Sequence, residues 1–290
     1  MSGSIGGTTF ARNKYGAYAR PRTKPVNPNT QGQQKARNSL SYLSEYWKES
    51  LSIAQRAAWN LYGSNVAMKN VLGETINLSG FNHFIRSNTN RLFNAQSIID
   101  AGPTNFTLPQ KDESLVISVD ESPQEISVTW DDNRDWCDET FAFLHMRQGL
   151  PQNASRDFFG GPWRHVGIVH GSPIPWTPPW LVQPVMAVAV GQRQWCTFRI
   201  SRADGRLSEP WSVSALVHAQ APGEVPMLIR LTQAEAVTRL EGASLVLGEV
   251  TTANHDSIPV DLIISSDPEY HVMLDPGSPV NIVVSLGPAA

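Results

Sequence analysis

Leu231-Thr232-Gln233-Ala234-Glu235-Ala236, Leu247-Gly248-Glu249-Val250, Ile258-Pro259, Ile263-Ile264-Ser265, Asp267-Pro268 and Pro276-Gly277-Ser278-Pro279-Val280-Asn281-Ile282-Val283-Val284-Ser285-Leu286-Gly287-Pro288 follow one another in the last quarter of the chain and decide how it is read. Val225-Pro226 opens the segment. The Leu231 piece starts a helix that ends near Gly242, and the later pieces are short apolar runs punctuated by Gly and Pro. Residues 224–287 hold Arg230 and Arg239 against nine acids, a charge of −7. Such a segment is well solvated and repels anions.

These pieces, in this order and spacing, resemble a PASTA domain, which implies a helix packed on a small sheet. Three positions depart from the family pattern: Arg230, Asp261 and His271 stand where turn glycines are usual. PASTA domains of bacterial kinases and penicillin-binding proteins are associated with cell-wall muropeptides. The resemblance therefore implies weak contact with wall glycan as one use.

Working back toward the N-terminus, residues 112–220 read as strands at Leu115–Val119, Ile126–Trp130, Phe141–Met146, Val185–Val190, Thr197–Ile200 and Trp211–Val217. Asp204-Gly205 sits in a hairpin-type turn. Seven of the nine tryptophans fall here, so this core is aromatic-heavy. Ile126-Ser127-Val128-Thr129-Trp130-Asp131 resembles the second strand of a fibronectin type III domain. Phe198 to Trp211, through Asp204-Gly205-Arg206-Leu207-Ser208-Glu209-Pro210, resembles its last hairpin. The stretch 148–183 is long for that fold and reads as an insertion, or as the mark of a different sandwich.

Residues 36–101 carry a helical period. Leu40, Leu43, Tyr46 and Trp47 lie at three- and four-residue spacing. Ser52 and Gln55 have capping-box spacing before Ile53, Ala57, Ala58, Leu61 and Tyr62. Ser79 caps a third helix through Phe81, Phe84, Ile85, Leu92 and Phe93, with Gly102-Pro103 as its stop.

Residues 1–35 show neither period. Arg12, Lys14, Arg20, Arg22, Lys24 and Lys35, with Arg37, give +7 without a single acid. Pro21, Pro25 and Pro28 favour extended backbone. The segment reads as an extended basic arm whose partner-binding residues are Phe10, Arg12, Tyr15, Tyr18, Arg20, Arg22 and Lys24. Three readings stand for it: docking on an acidic protein surface, a disordered tail, and binding of nucleic acid. Seven charges over 37 residues are dilute for the last.

No GxSxG, P-loop, HExxH, CxxC or paired-carboxylate signature is present, so no enzyme, no catalytic residue and no cofactor is expected. Asp131, Asp132, Asp135, Asp138 and Glu139 read as a solvated acidic loop ahead of a divalent-cation site. His165, His170, Cys137 and Cys196 match no metal-ligand spacing, so no metal is expected. The two cysteines read as buried thiols, with a disulfide as the alternative. No apolar run reaches membrane-spanning length, and Met1–Gly7 lacks the features of a secretory signal.

The fold class expected is multidomain α+β. It comprises the arm at 1–35, a helical anchor at 36–108, a fibronectin III- or Ig-like β-sandwich at 112–220, and a PASTA-like α+β domain at 224–288. Met1 to Phe10, Arg20 to Asn29, Gln33-Gln34 and Gln55-Arg56-Ala57-Ala58-Trp59 resemble the N-terminal region of phage and prophage proteins. That resemblance implies a virion structural protein made in the host cytoplasm. A capsid decoration or cement protein is the first expectation: the arm on the major capsid protein or other virion subunits, in several copies, with no membrane contact. A tail, baseplate or fibre component touching the host wall is the alternative, and a bacterial cell-wall-binding protein the third reading.

Overall fold

The computed structural model describes residues 3–13, 16–23, 28–70, 72–172, 176–219 and 221–288. The chain divides into two compact units, Met1–Tyr42 and Leu43–Ala290.

The first unit departs from an extended arm. Gly3–Ile5 (β1), Thr8–Asn13 (β2) and Gly16–Pro21 (β3) pair as an antiparallel sheet in the order β1-β2-β3. The reason lies in Gly6-Gly7. Gly6 takes a φ of 58°, and the two glycines make the two-residue turn that joins β1 to β2. Helix α1, Gln31–Glu49, begins five residues earlier than its apolar period. Thr30 starts it: its amide donates to Gln33 Oε1 at 3.2 Å and its hydroxyl accepts from the Gln33 amide at 3.4 Å. Gln31 to Asn38 is a polar first stretch that periodicity does not register.

In the second unit, Ile53–Asn65 (α2) and Gly80–Phe93 (α3) pack around Leu43, Trp59, Tyr62 and Phe84. Ser52 and Gln55 form the capping box and Ser79 caps α3, both as their spacing predicts. A short hairpin, Ala67–Lys69 (β4) with Thr75–Asn77 (β5), lies between the two helices in sequence. A Cβ on Gly80 would lie 2.4 Å from the Asn60 amide nitrogen, so only glycine lets α2 and α3 approach this closely. Helix α3 stops at Phe93, well short of Gly102. Its side chains hold the loop that follows: Asn88 bonds both the amide and the carbonyl of Ile99, and Arg91 Nε donates to Ser97 O at 2.7 Å.

The next strands are Val116–Asp120 (β6), Glu125–Thr129 (β7), Phe143–Gly149 (β8), Gln152–Asn153 (β9), Trp163–His170 (β10), Trp180–Val182 (β11), Gln192–Ser201 (β12) and Trp211–His218 (β13). They run in the order β10-β8-β12-β13-β6-β7-β11, with β9 pairing β12. All neighbours are antiparallel except β13 and β6, which meet in parallel at Val217↔Val119 and His218↔Asp120. Val119, Ile126, Val128, Leu144, Met146, Cys196 and Phe198 share one buried cluster with Trp130, Trp136 and Trp180.

Three strands, β9, β10 and β11, lie inside the stretch read as an insertion, and Val185–Val190 is not a strand. β10 escapes periodicity because its register shifts between His165 and Gly167, which resets the alternation. The backbone of 186–188 is satisfied by side chains instead. Gln148 exchanges two hydrogen bonds with Met186 at 3.0 and 3.2 Å, and Gln124 two with Val188, both at 2.8 Å.

The C-terminal domain consists of Gln233–Gly242 (α4), Val246–Ala253 (β14), Ile263–Asp267 (β15) and Pro279–Ser285 (β16). Strand β16 is central, parallel to β14 and antiparallel to β15. Ala236 and Leu240 of α4 bury against Ile263, Val280 and Ile282 of the sheet. Arg230, Asp261 and His271 keep φ values of 64°, 67° and 67°. The turns therefore hold the left-handed shape that glycine favours, although the side chains have changed.

Candidate functional site

In the N-terminal sheet, residues directly opposite one another share a face. The pairings Gly3↔Phe10 and Ile5↔Thr8 put Phe10, Arg12 and Ile5 on one face. Thr9↔Arg20 and Ala11↔Tyr18 put Tyr18 and Arg20 on the other. Phe10 is 36% exposed, Tyr18 43% and Ile5 71%, and Arg12, Arg20 and Arg22 are exposed as well. Tyr15 and Lys24 lie outside the described residues. No described residue of Met1–Tyr42 is buried. This sheet thus presents an aromatic and an arginine on each face and has no core of its own, a marginal arrangement for three strands in water.

A second concentration of polar contacts joins the C-terminal domain to the β-domain before it. Arg239 on α4 grips Glu125 on β7 with two hydrogen bonds, at 3.2 and 2.8 Å, and also donates to Met227 O. Arg230 stacks 4.4 Å over the Trp176 ring and donates to Thr177 O at 3.1 Å. The Thr177 and Ser257 hydroxyls are hydrogen-bonded to each other. The connection is packed too: the Gly223 amide donates to Ala243 O at 2.6 Å, and a Cβ there would meet Leu274 O at 2.2 Å. Bidentate arginine–carboxylate pairs that are largely buried are the strong class of charged contact. Arg239→Met is therefore expected to lower stability by about 2–3 kcal/mol, since it leaves Glu125 charged and unpaired. Urea denaturation followed by tryptophan emission checks this; a loss below about 0.5 kcal/mol would mean that the pair is a surface contact.

At the same junction lies a cluster that sequence spacing does not reveal. His218 ends β13, Glu224 follows the connection, and His271 sits in the turn after β15. Their donor atoms lie within 4.8 Å of one another. Glu224 Oε1 is 2.5 Å from His271 Nδ1 and 3.4 Å from His218 Nε2. His218 Nδ1 lies 3.4 Å from Asp120 Oδ1, and the Tyr270 hydroxyl donates to Asp120 Oδ2 at 2.9 Å. Burial would raise the Glu224 carboxyl. The hydrogen bonds from His271 and the Ala221 amide, with the nearby imidazoles, outweigh it and hold the group below the usual range. Asp120 goes the other way, raised by burial against the opposing Tyr270 hydrogen bond.

The other residues singled out by sequence are dispersed. Arg134 pairs with Asp112 and Asp131, and Arg202 pairs with Asp135 and Glu139, so three of the five acids of 131–139 face arginines. Cys137 and Cys196 are free buried thiols, and burial pushes Cys137 up to about 12. His165 lies by Phe93 and His170 against Phe143. Among the described residues these four form no ligand cluster.

The family model described as PASTA domain matches residues 223–286. No curated protein matches the chain. Among solved structures, the chain is similar to the entire extracellular region of the Ser/Thr kinase PrkC from Staphylococcus aureus, at 29% identity over 23% of this chain and 24% of that one, with a TM-score of 0.23. It is also similar to the three-PASTA-domain part of a Ser/Thr kinase from Staphylococcus aureus, at 29% identity over 22% of this chain and 32% of that one, with a TM-score of 0.22. The chain thus spans less than a third of either relative. Residues 223–286, with α4 on the β14-β16-β15 sheet, are a PASTA domain.

Proposed function

We propose that this chain is a non-enzymatic structural protein of a phage virion, a capsid decoration protein attached through its N-terminal unit and displaying its β-domains outward. One observation carries the reading. The N-terminal sheet exposes both faces, and Met1–Tyr42 holds seven cations and no acid. The remainder has 16 cations against 26 acids, or −10. A basic sheet without a core gains its stability from a surface that covers it, and an acidic shell of other subunits fits that need. The likeness of residues 1–59 to phage and prophage proteins points the same way.

The strand order of the middle domain supports a fibronectin type III-like arrangement. In that reading β6, β7 and β11 form one sheet, and β10, β8, β12 and β13 the other. Such modules serve as spacers on particle surfaces. The PASTA domain favours a second reading, a tail or baseplate protein touching host wall. Its −7 charge and the side chains at three former glycine positions weigh against tight binding of anionic wall polymers. Counting copies by mass spectrometry of purified particles separates the two readings. A decoration protein occurs in hundreds and a tail-tip protein in a few, while absence from particles overturns both.

A further inference from the structure

We propose that His218, Glu224 and His271 bind a divalent transition-metal ion, zinc by preference, that clamps the PASTA domain onto the preceding β-domain. The site is assembled from the end of β13, the connection after it and the turn after β15, where His271 takes a position at which glycine is usual.

Several observations converge. The 3.4 Å between His218 Nε2 and Glu224 Oε1 is the edge of a tetrahedron whose corners lie about 2.1 Å from a central ion. His271 Nδ1, at 2.5 Å from the same oxygen, needs only to open by about 1 Å to reach that spacing. His218 faces a carboxylate from each ring nitrogen, Asp120 from Nδ1 and Glu224 from Nε2. A neutral imidazole has one N–H, so one of those nitrogens points a lone pair at an anion. A cation between Nε2 and Glu224 removes that conflict. It leaves Nδ1–H for Asp120, the carboxylate–histidine–metal pattern that fixes tautomer and ring orientation. Asp120 is itself held by Tyr270.

His271 reaches the site from a turn whose backbone is left-handed, as at Arg230 and Asp261. It is a non-glycine residue at φ 67°, in the left-handed region that favours glycine. Strain of this kind persists where surroundings over-determine it, and here it delivers Nδ1 to Glu224. Two imidazoles and one carboxylate suit zinc and its neighbours, whereas calcium and magnesium prefer all-oxygen sites. Glu224 is buried while both histidines are 40% exposed on their side chains, which leaves an entry path and an open fourth position for water.

The test uses the full chain, stripped with chelator and titrated with zinc chloride by calorimetry, with cobalt(II) absorption as a second readout. One ion per chain is expected, with visible d–d bands of a four-coordinate site and a higher unfolding temperature for the loaded protein. His271→Gly suits its backbone and keeps the fold, yet is expected to lose the high-affinity ion and the cobalt bands. Asp120→Asn is expected to weaken binding by about 10- to 100-fold. The proposal is overturned if the stripped chain shows no saturable binding, or if His271→Gly and His218→Ala bind zinc as well as the unaltered chain. It is overturned too if the variants shift only the pH dependence of stability, which would mark the cluster as a proton-linked ion pair.

Discussion

Trp59→Ala is expected to destabilise the Leu43–Ala290 unit by about 3–5 kcal/mol, the usual loss for removing a fully buried tryptophan. Trp59 has no exposed surface and stands at the centre of the helical core. It meets Tyr62 and Phe84 edge-on, with ring centroids 6.0 and 5.7 Å away. Its indole N–H donates to Asp100 O at 2.9 Å and so ties down the segment after α3. A Cβ on Gly205 would lie 3.2 Å from the indole Cη2, which shows how closely the β12–β13 turn covers the ring. Alanine would therefore leave a large cavity, an orphaned carbonyl and a loosened seam between helices and β-domain. Chemical denaturation with circular dichroism measures the loss. A change below about 1 kcal/mol would place the core elsewhere.

Acid is expected to weaken the same unit strongly between pH 6.5 and 4. His83 is wholly buried, neither ring nitrogen has a hydrogen-bond partner among the described residues, and burial with the nearby Arg86 lowers it to about 4. His145 is buried beside Arg147, and desolvation followed by that charge lowers it to about 3. Both folded values lie below the unfolded value of 6.5, so the unfolded chain takes up protons first. The stability is complete above pH 6.5 and falls as pH drops toward the folded values. At about 1.4 kcal/mol per pH unit, each histidine accounts for a loss on the order of 3 kcal/mol at the acid end. Glu224, held low by its partners, adds a loss in the same direction at lower pH, while the raised Asp120 opposes it. Urea midpoints at pH 7 and pH 4.5 should differ markedly, and His83→Gln should flatten the slope even if it lowers stability at pH 7. Equal midpoints at the two pH values would contradict the burial of these rings.

The parts of this structure that sequence made legible are those where local chemistry and spacing agree. Ser52 with Gln55, and Ser79, mark helix starts because a capping hydroxyl and its partner lie three residues apart whatever the tertiary setting. The PASTA domain was readable because its Gly, Pro and apolar pieces keep their order. The backbone at Arg230, Asp261 and His271 stayed left-handed despite the changed side chains. Other elements were hidden for physical reasons. The register shift at His165/Gly167 erased the alternation of β10, and side-chain bonds from Gln124 and Gln148 took the place of a strand at 186–188. The N-terminal sheet mixes apolar and basic residues on both faces and so has no alternation, and only Gly6-Gly7 signals it. The His218–Glu224–His271 cluster had no signal at all, because its residues meet only when one domain docks on another.

The central claim is that the basic N-terminal sheet is the attachment surface. The most direct measurement compares the full chain with a version lacking residues 2–30 for co-sedimentation with purified particles that have been stripped of the protein. The core of Leu43–Ala290 does not include the deleted residues, so the shortened protein should stay folded by circular dichroism. The account predicts that it no longer sediments with particles. It also predicts that Phe10→Ala with Tyr18→Ala weakens attachment more than a rise in salt does, because exposed ion pairs contribute only about 0–1 kcal/mol each. Full occupancy by the shortened protein would contradict the account and move attachment to the helices or the β-domains.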